Sequence, residues 1–81
     1  MKATYEKFQK IFGFKAPLDG MLTAILKKPK IDLIKFEAEL SKRHPEYDGT
    51  NCMLNGISCS LSEAIVKLYS SEAKDFVENL L

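Results

Sequence analysis

Asn55-Gly56 lies between two short runs that mirror each other, and no other feature constrains this chain as tightly. A two-residue type I′ turn needs consecutive residues at positive φ, which asparagine and glycine tolerate best. Centring the turn there sets Leu54 opposite Ile57, Met53 opposite Ser58 and Cys52 opposite Cys59, in a hairpin over about residues 51–60. The register predicts both cysteines on the face of Leu54 and Ile57, turned inward. The third pair from such a turn is hydrogen-bonded, with α-carbons ~5.5 Å apart. A disulfide tolerates that separation. The preferred reading is two reduced thiols that serve as small apolar core groups.

The flanking sequence is helical. Tyr5, Phe8, Ile11 and Phe12 recur at helical spacing and predict a helix from about Thr4, as N-cap, to Phe12, closed by Gly13 in the left-handed region. A second helix starts near Pro17 or Asp19. Leu18, Met21, Leu22, Ile25 and Leu26 form its wide apolar stripe, which predicts a largely buried helix that Pro29 terminates. Asp32 caps a third helix, with Ile31 and Phe36 as a hydrophobic staple and Leu33, Phe36 and Leu40 as the buried stripe. Lys42, Arg43 and His44 suit its C-terminal carbonyls, and Pro45 ends it. Ser60 and Glu63 open a capping box for the last helical region, which is either continuous or broken at Ser70-Ser71.

These elements predict one mainly α domain over residues 1–81, with four to five short helices and one hairpin before the C-terminal helical region. At 81 residues a single core suffices only narrowly, and five Phe and three Tyr with no Trp supply its large side chains. No apolar run approaches a membrane span. Met1 to Lys7 enters the amphipathic pattern without a signal-peptide apolar region, so the expected setting is the cytoplasm, with no membrane partner. Eleven lysines against one arginine fit an AT-rich bacterial or phage genome.

Charge is divided unevenly. Residues 1–45 carry ten basic and five acidic side chains, a net of +5, and residues 46–81 carry two and six, a net of −4. Mutual attraction of the two halves within one fold is the expected meaning. The alternative is a basic face formed by Lys27, Lys28, Lys30, Lys35, Lys42 and Arg43 that binds nucleic acid. Two helices joined by a tight turn are the outline of a helix-turn-helix. Against it, the would-be recognition helix opens Asp32-Leu33-Ile34, and arginine, which reads guanine bidentately, is nearly missing.

Chemistry-bearing patterns are sparse. Cys52 and Cys59 are separated by six residues, wider than a zinc half-site, and the lone histidine, His44, sits where a helix-capping role explains it. No glycine-rich phosphate loop or nucleophile elbow is present. No cofactor, metal or catalytic residue is expected. Tyr47, Met53 and the terminal Leu80-Leu81 exceed what one small core accommodates, so Tyr47, Met53 and Leu81 are candidates for a partner-binding patch or a homodimer seam. The functional expectation is a non-enzymatic protein that acts through protein–protein contact, as an adaptor, inhibitor or accessory subunit.

Overall fold

The structure, a computed structural model, describes residues 2–81. Helix α1 spans Lys2–Phe12, α2 Gly20–Leu26 and α3 Leu33–Arg43. Strands β1 (Tyr47–Asp48), β2 (Met53–Leu54) and β3 (Ile57–Ser58) follow, then α4 (Leu61–Leu68) and α5 (Ser71–Glu78). The chain is mainly α, as its periodicity predicts.

Phe8 and Phe12, four residues apart on α1, are buried, while Glu6, Lys7 and Lys10 face water. The helix already includes Lys2 and Ala3, so Thr4 lies inside it and is not its cap. Gly13 closes it at φ 81, its N–H donating to the Gln9 carbonyl at 2.8 Å. Phe14 then folds back and meets Phe8 edge-on, with centroids 5.5 Å apart. At α3 the Asp32 carboxylate accepts the Lys35 N–H at 3.2 Å, and Ile31 and Phe36 are both buried, as a staple requires. Leu33 departs from the predicted stripe: it is 42% exposed, because the core side of α3 runs through Phe36 and Leu40 alone.

The turn is where the sequence places it. Asn55 and Gly56 take φ 53 and 79, and Met53 pairs with Ser58 and Leu54 with Ile57. The Cys59 N–H reaches the Cys52 carbonyl at 2.8 Å, extending the register by one pair. Two expectations fail there. Cys52 itself adopts φ 52, which turns its side chain outward, so only Cys59 is buried. Ile57 is 68% exposed, because a third strand, β1, pairs with the other edge of β2 and leaves β3 at the outside of the sheet. Tyr47 lies opposite Leu54 in that added pairing, and both are buried. Gly49 fits closely against α3: a Cβ there would meet Ser41 Oγ at 3.1 Å and Glu37 Cβ at 3.3 Å.

Gly56→Val isolates the turn. Nothing lies within 4 Å of the Cβ it would add, so its cost is the left-handed backbone alone, about 1–2 kcal/mol. Gly56→Asn, which accepts that conformation, is expected to cost much less. Urea unfolding of the two variants checks this: equal midpoints would show that the turn does not depend on positive φ.

The C-terminal region is two helices. Tyr69 ends α4 at φ −128, ψ −90, and the Ser70 hydroxyl starts α5 by accepting the Ala73 N–H at 3.1 Å. The core is aromatic, with Phe8, Phe12, Phe14 and Phe36 in mutual contact and Tyr69 against Phe12.

Candidate protein-binding face

Helix α2 contradicts its predicted burial. None of its seven residues is buried. Met21 is 75% exposed, Ile25 66%, Leu26 49% and Leu22 45%. One exposed leucine is ordinary on a protein surface, but four large apolar side chains on two adjacent turns form a contiguous patch, and such patches mark contact sites.

The local sequence explains the arrangement. Residues 17–19 and 30–32 run antiparallel as an isolated bridge, Leu18 opposite Ile31. Asp19 N–H donates to the Lys30 carbonyl and Asp32 N–H to the Pro17 carbonyl, both at 2.8 Å. Residues 19–30 thus form a closed lobe on a two-stranded neck, a compact loop whose ends meet. Inside it, the Asp19 carboxylate caps α2 by accepting the Leu22 N–H at 2.9 Å. Lys27 ends α2 at φ 54, and Lys30 N–H donates to Thr23 Oγ1 at 3.1 Å, tying the returning strand to the helix. The half-buried Thr23 marks the inner side of the helix, so Met21 and Ile25 point away. Leu33 and Ile34, directly after the neck, continue the exposed apolar character, Ile34 at 82%.

Lysines follow this face along the chain, Lys27 and Lys28 at the end of α2, Lys30 in the neck and Lys35 in the first turn of α3. The acids of the lobe and neck, Asp19 and Asp32, are both occupied in capping helices. Among the described residues, Lys27, Lys28 and Lys35 make no ion pair, whereas Lys30 donates to the Leu81 carbonyl at 3.2 Å. The expected attraction between the basic and acidic halves is scarcely realised by direct pairing. His44–Glu46, at 3.5 Å and an ion pair only when the imidazole is protonated, is the one pair across the division among the described residues, while Arg43–Glu39 and Lys74–Asp75 each stay within a half.

The residues expected to form a partner patch do not share one surface. Tyr47 is 1% exposed and belongs to the core, because β1 carries it under the sheet opposite Leu54. Met53 is half-buried and Leu81 is 47% exposed. Leu81 alone borders the lobe: the Ile31 N–H donates to the Leu80 carbonyl at 2.8 Å, and Lys30 holds the next carbonyl. The proposed basic face is also divided. Lys35 and Lys42 line a groove of about 420 Å³ together with Lys15, which sequence reasoning did not single out. Arg43 is engaged by Glu39 at 3.2 Å and lies 4.8 Å over the Phe14 ring. On another side of α3, Ile34 edges a cleft of about 240 Å³ with Glu37, Ser41 and Thr50.

His44 caps α3 through its backbone N–H to the Leu40 carbonyl, and its ring joins Tyr69 Oη at 2.7 Å and Glu46 at 3.5 Å. Those contacts fasten the end of α3 to the α4–α5 junction. Among the described residues no helix is long and apolar enough to cross a membrane. Comparison with protein-family models, curated proteins and solved structures gives no match for this chain.

Proposed function

We propose that this chain is a small non-enzymatic cytoplasmic protein that acts through protein–protein contact, as an adaptor, inhibitor or accessory subunit, and that the outward face of α2 is the contact. The observation that carries this is a seven-residue helix with no buried residue, whose four large apolar side chains are 45–75% exposed. Leaving such a face in water forgoes ~25 cal/mol for every Å² that a partner would cover. The neck and the capped ends hold the face in place, so little order remains to be imposed on binding.

Photo-cross-linking tests the site. Benzoylphenylalanine placed at Ile25 is expected to give a discrete protein adduct in the source cells, and the same group at exposed Lys67 on α4 is expected to give none. An Ile25 position that cross-links no more than Lys67 overturns the reading.

Nucleic-acid binding is the second reading, favoured by the one groove that brings Lys15, Lys35 and Lys42 together. It predicts retention on an immobilised polyanion that falls steeply with salt and is lost in K35E/K42E. Absence of retention at low salt eliminates it.

A further inference from the structure

We infer that the occupant of the α2 face is an acidic amphipathic helix of another protein, an inference that rests on the contact role proposed for that face. The argument is charge complementarity. Residues 15–35 carry five lysines against two aspartates, and both aspartates are committed to helix N-termini. Lys27 and Lys28 follow the apolar turns directly, and Lys35 lies in the first turn of α3. A partner that covers Met21 and Ile25 therefore brings its flanks to uncompensated ammonium groups, and carboxylates there are favoured while lysines are repelled.

The same charges argue against the other occupants. A second copy seated face to face would set a lobe of net +2, residues 19–30, against an identical one. A lipid surface would also satisfy the lysines, but residues 15–35 offer it only aliphatic side chains and methionine, with no Trp or Phe to anchor in the headgroup region. At seven residues α2 is about 10 Å long, enough to present two turns. Its counterpart is a helix with apolar side chains at i, i+3 or i+4, and i+7, and with Asp or Glu beside them.

The test is a displayed library of helical 14-residue peptides selected against the whole chain, with an M21Q/I25Q variant as counter-target. Both substitutions are on exposed positions, and an unchanged circular dichroism spectrum confirms the variant's fold. The expected binders are net negative and amphipathic, bind M21Q/I25Q at least tenfold more weakly, and lose at least tenfold on K27E/K28E. Neutral or basic binders, or binders indifferent to K27E/K28E, overturn the acidic occupant and leave the contact role intact. Failure to select any binder overturns the helical occupant, whereas loss of the Ile25 cross-link overturns the contact role itself. Co-sedimentation with phosphatidylserine vesicles that M21Q/I25Q abolishes would overturn the inference in favour of a membrane. Concentration-dependent dimerisation that M21Q/I25Q abolishes would overturn it in favour of a second copy.

Discussion

Replacing Phe8 with alanine is expected to destabilise the domain by about 3–5 kcal/mol, the cost of removing a fully enclosed aromatic side chain. Phe8 has no exposed surface, and its ring lies 4.6 Å from Phe12, 5.5 Å from Phe14, 5.8 Å from Phe36 and 6.4 Å from Phe76 between centroids. Among the described aromatic rings it is the one that meets every other phenylalanine. Those neighbours come from α1, the segment after it, α3 and α5, so no single element can shift to fill the void. Relaxation is therefore limited, which places the cost at the upper part of the range. For 81 residues the whole stability is only about 4–12 kcal/mol, so the variant is expected to lose a third of it or more. Urea titration followed by circular dichroism reads this directly. Phe8→Leu, which keeps most of the volume, should lose less than half as much. A loss below about 1 kcal/mol for Phe8→Ala would contradict an aromatic core centred on this residue.

The same cluster explains why some of the fold is legible from residues alone and some is not. Gly13, Asp32, Asn55-Gly56, Ser60 and Ser70 act within a few residues of themselves, through backbone conformation or a side chain on a nearby N–H. Their effect is written in the sequence at short range, and each stands where local chemistry places it. The stripe on α2 is different. Periodicity shows that Met21, Leu22, Ile25 and Leu26 share neighbouring turns, but not whether anything covers them. That depends on whether space remains in the core, and five phenylalanines from other segments occupy it. A long-range clue was present in the apolar pair Leu18 and Ile31, each of which directly precedes a capping aspartate, Asp19 and Asp32. Their pairing pinches the lobe out of the core, and it spans thirteen positions, beyond what a local pattern conveys. Strand β1 escaped for a related reason. Two residues after a proline carry no alternation, and their strand character comes entirely from pairing with Met53 and Leu54. That pairing also moved Tyr47 from the expected surface patch into the core, and the candidate site moved with it, from Tyr47 and Met53 to α2.

Tyr47 carries the second large effect, and it appears at alkaline pH. Its side chain is 1% exposed, and its hydroxyl has no hydrogen-bond partner among the described residues. Burial, with the nearby Glu37 carboxylate and then Cys52, Cys59 and Asp48, pushes its pKa from 10.0 up to about 12. The unfolded chain therefore releases this proton near pH 10, while the folded chain keeps it until about pH 12. Between those values the unfolded state binds fewer protons, so stability falls as pH rises. Below pH 10 both states hold the proton and the group contributes no slope. Two pH units correspond to about 2–3 kcal/mol at full development. Lysines also lose their charge in this window, so the informative quantity is the difference between the native chain and Tyr47→Phe. At neutral pH, Tyr47→Phe is expected to be unchanged or up to about 2 kcal/mol more stable, because it removes a buried hydroxyl that gains no bond for its desolvation. From pH 10 to pH 12 its advantage should widen by about 2–3 kcal/mol, measured by urea unfolding at each pH. A Tyr47→Phe variant less stable than the native chain at neutral pH would show that the hydroxyl donates a bond in solution. A constant difference across the alkaline range would show that its environment stabilises the phenolate as well as water does.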